Sequence, residues 1–322
     1  MERKKIIPRL LVITLTCALL LTQTNALPII PNGTGFGMDT PAGSGRHNVT
    51  INATGNFGLT NLCKVVNLDD SPEGTGLDTD YEDKIVTGDF RYCVEKALSP
   101  KVIVFEVSGT IELEQSITVG GFTGKDSGKT GSFMTIAGQT APSPGITIAK
   151  HPFKIERNCH DILIQHLRFR LGDTGITEDG ANPDAHDAIN IGWSYAPEHD
   201  PPWYPAESII IDHCSISWGV DESAQVGGDN CTFTNNIISE GLNSPLHSKG
   251  PHSKGLVVSA INEELRGGMN TLLADNLFYK SVSRCPKIAA GSVVVSNNYI
   301  HNSREGIKAL EYDGQGPIRV SI

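Results

Sequence analysis

At 322 residues the chain is long enough for a sizeable core, and its 39% apolar residues and 34 glycines exclude intrinsic disorder. Charged residues at 19%, aromatics at 6% and 18 prolines argue against a coiled coil or helical bundle and for turn-rich β structure. The formal charge of −10 at pH 7 makes nucleic acid and anionic membrane surfaces poor partners.

Arg3, Lys4, Lys5 and Arg9 precede an apolar stretch from Leu10 to Leu21 that ends in the small-residue site Thr24-Asn25-Ala26. This is the pattern of a secretory signal peptide over residues 1–26. The stretch is shorter than the roughly 20 residues a spanning helix needs, and no later segment is long and apolar enough to cross a membrane. The expectation is a secreted, extracellular, monomeric protein with one domain over residues 27–322. Cleavage would remove four cations and one anion, taking the formal charge from −10 to about −13. Such a chain binds a polyanion only through a local basic cluster or a bridging cation.

Six cysteines follow the leader, Cys63, Cys93, Cys159, Cys214, Cys231 and Cys285. Their pairing cannot be read from sequence, and some can be buried free thiols. Sequons at Asn32, Asn48, Asn52 and Asn230 fit a glycosylated secreted protein.

Phe90 to Leu98 reads as a short helix covering the open end of a first coil. Strands are expected at Val102 to Val107, Met134 to Ile136 and Gly145 to Ile148, separated by glycine-rich turns. Beyond residue 160, five segments can be written over one another without gaps: Ile164 to Phe169, Ile211 to Ile216, Phe233 to Ile238, Leu273 to Phe278 and Val295 to Ile300. Two of the steps between them are 22 residues; the other two, 47 and 40, read as two coils each with inserted loops. A period near 22 built from short β segments is the signature of a parallel β-helix, in which each coil buries its apolar side chains against the coils above and below. Asn236, Asn276 and Asn298 fall at one stacked position, where asparagine tolerates a left-handed bend and its amide can join a ladder. The alternative is a twisted antiparallel sandwich. The chain stops at Ile318 to Ile322, which reads as the middle of a strand.

The segments Val104 to Ile111, Thr135 to Thr140, Leu167 to Arg170, Asp187 to Ile189, Ile211 to Trp218, Asp221-Glu222, His252 to Lys254, Arg284 to Lys287 and Asn297-Asn298 together resemble the pectate lyases of polysaccharide lyase family one. The resemblance spans about residues 100–300. It implies an all-β fold, a single-stranded right-handed parallel β-helix of the pectin-lyase type with a short N-terminal cap helix. It also implies calcium-dependent β-elimination on polygalacturonate, an acidic polysaccharide. Asp187, Asp221 and Glu222 are then the candidate calcium ligands, a hard cation needing several oxygens that adjacent coils can bring together. The family commonly has a further acid where this chain has Gln225, and Glu222 stands where glycine is frequent. Asp173, Glu178, Asp179 and Asp184, in an inserted loop, are read as exposed carboxylates.

Arg284 matches the family's catalytic arginine, which removes the C5 proton of the sugar. Because a guanidinium stays protonated at ordinary pH, this role needs a shifted pKa, an alkaline optimum, or an arginine that stabilises the enolate while another base acts. Lys254 matches a substrate-binding lysine but lies in a duplicated His-Ser-Lys-Gly loop, His247 to Gly250 and His252 to Gly255. Lys287 and Ala289 stand where many members carry arginine. His213 is read as a buried histidine with Asp212 as its companion, and His247 and His252 as loop residues rather than zinc ligands. Two further classes stay open: a hydrolase on the same architecture, which needs two flanking carboxylates, and an inactive wall-binding protein, which Gln225 and Ala289 would favour.

Overall fold

A computed structural model describes residues 34–40, 42, 60–120, 131–180, 182–192, 205–259, 270–310 and 318–322. The expected leader and the sequons at Asn32, Asn48 and Asn52 lie outside the described residues. Among these, no helix is long and apolar enough to cross a membrane.

Three sheets wrap one core. Sheet A has 11 strands, and sheets B and C have 7 each. Consecutive strands of each coil go to different sheets. Each sheet therefore pairs strands from successive coils in parallel, and among the described residues only Gly76–Asp78 runs antiparallel, against Ile85–Gly88. This is a parallel β-helix, and the sandwich alternative is excluded. The strands expected from sequence are present as Lys101–Phe105, Met134–Ala137 and Ile146–Ala149.

Stacking is residue on residue. In sheet A the inward column runs Cys63, Ile103, Ile136, Ile164, Ile211, Phe233, Leu273 and Val295, each the direct register partner of the next. In sheet B it runs Ile111, Ile148, Phe169, Ile216, Ile238, Phe278 and Ile300. All but Ile300 belong to the buried core, and each fully buried side chain of this kind stabilises by about 1.5–3 kcal/mol. The five segments aligned in the sequence therefore sit in the register that alignment implies.

Two details differ from the sequence reading. The steps of 47 and 40 residues are single coils, because Ile164 pairs directly with Ile211 and Phe233 with Leu273. The extra residues fall between neighbouring strands without adding a coil. The left-handed residue at the bend between sheets A and B is also not the ladder asparagine but the one before it: Asn235, Asp275 and Asn297 have φ of 57°, 58° and 52°, and His213, before Cys214 on the preceding coil, has 52°. The ladder amides themselves point inward. Asn236 Oδ1 accepts from the Cys214 N–H at 2.8 Å, Asn276 Oδ1 from the Asn236 N–H at 3.0 Å, and Asn298 Oδ1 from the Asn276 N–H at 2.9 Å. Each Nδ2 donates to a carbonyl of the coil before, on Ile211, Phe233 and Leu273.

The expected cap helix is a single π-helical turn, Tyr92–Lys96, with Tyr92, Cys93 and Val94 buried against the first strands. Lys101, fully buried, donates to the Val94 and Ala97 carbonyls at 2.6 and 2.9 Å and so satisfies the end of that turn. Sheet A also extends beyond it, through Asn61–Val65 and Ile85–Gly88. The C-terminal strand Arg319–Ser321 pairs with Ser292–Ser296 in the same sheet.

All six described cysteines are buried and none is disulfide-bonded. Asn230 is not a free loop residue: its Nδ2 donates to Glu207 Oε1 at 3.2 Å.

Candidate functional site

Sheet C carries the site. Its outward column passes through Lys154, Asn190, Gln225, Val257, Lys287 and Lys308 in direct register. Beside this column opens a cleft lined by Asp184, Ala185, Asp221, Glu222, Gln225, Val257, Ser259, Arg284, Lys287 and Ala289.

The turn delivering two of the carboxylates is narrow. A Cβ at Gly219 would lie 2.1 Å from the Glu222 carbonyl oxygen, so only glycine lets the chain fold back there. The preceding coil locks on through its backbone, with the Val220 and Asp221 N–H groups donating to the His186 carbonyl at 3.2 and 3.3 Å. Asp187 is thereby set against the strand Glu222–Val226. Its Oδ1 accepts the Glu222 N–H and its Oδ2 the Asn190 amide, both at 2.9 Å. On the next coil, Gly255 allows the Arg284 backbone to approach: a Cβ there would sit 2.6 Å from the Arg284 carbonyl.

Asp187, Asp221 and Glu222 each place a carboxylate oxygen within 4.8 Å of the others. Asp187 and Glu222 are buried, and burial first, then the Asp221 charge, pushes the Asp187 carboxyl up to about 8. Carboxylates crowded out of water in this way call for a cation. Arg284 supplies one directly, with its Nη1 in contact with Glu222 Oε1. The donor set, all oxygen and anionic, fits a hard divalent ion such as calcium.

The structure thus brings together Asp187, Asp221, Glu222, Arg284 and Lys287, together with Gln225 and Ala289. Lys254 pairs in register with Glu222 but turns its ammonium to His252 Nε2, with Asp221 Oδ1 at 3.9 Å.

Three residues read as incidental are part of the site. Asp184 lines the cleft rather than standing free, and accepts from the Ser248 N–H at 2.8 Å and from the Ser248 hydroxyl. His247 and His252 stack with centroids 3.5 Å apart, and both present Nε2 to Asp221 Oδ1, at 3.4 and 2.8 Å. Burial, reinforced by the Lys254 charge, lowers the His252 pKa. The duplicated His-Ser-Lys-Gly loop was the available signal for this pair. Asn190, which orients Asp187, had none.

Asp212 and His213 behave differently from the reading of a buried histidine. The carboxylate is the buried member, accepting from Gln165 Nε2 at 2.7 Å, Asn235 Nδ2 at 3.0 Å and His213 Nδ1 at 2.7 Å. His213 stands at the bend, about half exposed, and stacks on His166 at 4.8 Å. Neither lines the cleft.

No family model matches the chain. It is similar to curated fungal proteins named "Probable pectate lyase C". The one from Aspergillus oryzae is 29% identical over 310 residues, covering 96% of this chain and 56% of that protein. The one from Aspergillus terreus is 28% identical over 260 residues, covering 80% and 47%. The one from Neosartorya fischeri is 30% identical over 233 residues, covering 71% and 44%. The chain thus spans about half the length of the curated relatives it matches. Among solved structures it is similar to Jun a 1, the major allergen from cedar pollen, at 14% identity over 90% of this chain and 86% of that one, with a TM-score of 0.49. By the sequence comparisons the chain is similar, over most of its length, to proteins named as probable pectate lyases.

Proposed function

We propose that the protein is a secreted pectate lyase that cleaves polygalacturonate by calcium-dependent β-elimination. The observation that carries this reading is the meeting of three carboxylates, Asp187, Asp221 and Glu222, with the Arg284 guanidinium in one cleft. A net-acidic chain holds a polyuronate only where cations gather, and Arg284, Lys287 and the neighbouring Lys254 gather here.

Calcium held by the three carboxylates would take the galacturonate carboxylate as a further ligand and make the adjacent C5 proton more acidic. Asn190 and the Glu222 N–H keep Asp187 in its ligating orientation. Lys287 pairs with a uronate carboxylate as a point charge, without the bidentate grip of arginine. Arg284 serves the proton-removal step, as the base in its neutral form or as the cation that stabilises the enolate. The C5–H bond breaks, the C4–C5 double bond forms and the glycosidic oxygen leaves C4, so no water is added.

Mass spectrometry of the products tests this. Elimination leaves fragments whose masses sum to that of the parent chain; hydrolysis adds one water per cut and contradicts the proposal. A second reading, binding without cleavage, is favoured by Gln225 and Ala289 in the cleft and by the Glu222–Arg284 ion pair. Unchanged polymer that stays bound to the protein would select it.

A further inference from the structure

We propose that Asp221, His247 and His252 form a second cation seat, held by the Lys254 ammonium in the ion-free protein and open to a borderline divalent transition ion, zinc being the representative.

The three ligand atoms lie within 4.8 Å of one another. Tetrahedral zinc with bonds of about 2.0–2.1 Å sets its ligands about 3.4 Å apart. The distance from His247 Nε2 to Asp221 Oδ1 is 3.4 Å; that from His252 Nε2, 2.8 Å, needs to open only slightly. The His247 ring is fully buried, and its Nε2 has no hydrogen-bond partner although it faces the carboxylate. The two rings lie 20° from parallel, so their Nε2 edges turn the same way, towards Asp221.

The spot already selects for positive charge, because the Lys254 ammonium contacts His252 Nε2. One adjustment is required of His247. Its Nδ1 accepts the Lys249 N–H at 3.0 Å, which leaves the ring proton on Nε2. Ligation moves that proton to Nδ1 and breaks the Lys249 N–H bond, and Nδ1–H then donates to Asp184 Oδ1, 3.4 Å away, as carboxylates accept behind metal-bound histidines.

Two imidazole nitrogens and one carboxylate favour zinc, nickel or copper over calcium, which prefers oxygen alone. The seat is therefore chemically distinct from the Asp187, Asp221 and Glu222 group but shares Asp221 with it. Zinc and calcium compete for that carboxylate, and zinc also displaces Lys254. Zinc binding stands by itself; its competition with calcium rests on the lyase reading above.

The test is calorimetric titration of the metal-free full-length protein with zinc, alongside the visible spectrum of the cobalt(II) form. One zinc per chain is expected, bound about 100-fold more weakly by His247→Ala and by His252→Ala. Lys254→Met, which removes the competing ammonium, binds zinc more tightly. This gain cannot come from misfolding and keeps the test sharp if a histidine variant unfolds. Cobalt should show tetrahedral bands without a thiolate charge-transfer band, which separates the seat from the buried cysteines. Absence of zinc binding, affinity unchanged in both folded histidine variants, or a thiolate band overturns the proposal. Calcium-dependent cleavage is assayed separately on the same protein. Cleavage without zinc binding overturns this inference alone, and zinc binding without cleavage supports it while overturning the lyase reading.

Discussion

The bend between sheets A and B and the cleft on sheet C are made by the same coils but treat polar groups in opposite ways. At the bend, each ladder amide of Asn236 and Asn276 accepts from one coil and donates to another, so every buried polar atom there is matched. In the cleft, three carboxylates are crowded together with two of them buried, and a carboxyl is pushed up to about 8. A satisfied ladder stabilises and repeats. A crowded anionic cluster stores unfavourable charge that a bound cation would offset. On the proposed function, stability belongs to the first region and chemistry to the second, and substitutions should separate them.

The largest effect is expected at Arg284. Arg284→Ala should lower the elimination rate by about 1000-fold or more while leaving the β-rich circular dichroism intact, in line with losses on removing a charge-stabilising donor. Equal turnover would remove Arg284 from the mechanism. Asn276→Ala should do the reverse. It removes four side-chain hydrogen bonds, those with the Asn236 N–H, Asn236 Nδ2, the Phe233 carbonyl and Asn298 Oδ1, costing about 2–4 kcal/mol in urea unfolding, with turnover per folded molecule retained at low temperature.

A pH series sharpens the contrast further. The Asp187 carboxyl is raised from 3.8 to about 8, so between these values the folded protein binds a proton that the unfolded chain does not. Without divalent ions, stability is therefore full below about pH 4 as far as this group is concerned and declines as pH rises through about 8. Calcium should flatten that decline, since it favours the charged form. Thermal melts with calcium and with chelator across this range check it; parallel curves would mean that Asp187 ligates nothing.

The smallest effect is expected at Gln225, whose amide donates to Ser259 Oγ at 3.2 Å. Gln225→Glu adds an oxygen ligand beside the cluster and should tighten calcium binding by up to about tenfold. Titration calorimetry measures this directly.

The fold was legible because its rule is periodic. Ile211, Phe233, Leu273 and Val295 repeat a pattern that stacking needs, and the observed register follows from it. The single-coil nature of the 47-residue step was not legible, since inserted residues carry no period of their own. Nor was the identity of the left-handed bend residue, because Asn235 and Asn236 are adjacent asparagines and only the backbone separates their roles. In the cleft, Asp187, Asp221, Glu222, Arg284 and Lys287 came from the family resemblance rather than from any spacing. Convergence from separate coils leaves no sequence pattern. Asn190 and Asp184 escaped for the same reason: their importance lies in what adjacent coils place beside them. The His247–His252 pair did leave a signal, the duplicated His-Ser-Lys-Gly loop, but not the partner it faces.

The most direct test of the account is ultraviolet absorbance of polygalacturonate incubated with the purified protein, with calcium and with chelator. Elimination creates a double bond conjugated to the uronate carboxylate, which hydrolysis cannot make. The account predicts absorbance that rises with calcium and stops with chelator. New reducing ends without that absorbance, or absorbance indifferent to chelator, would contradict it.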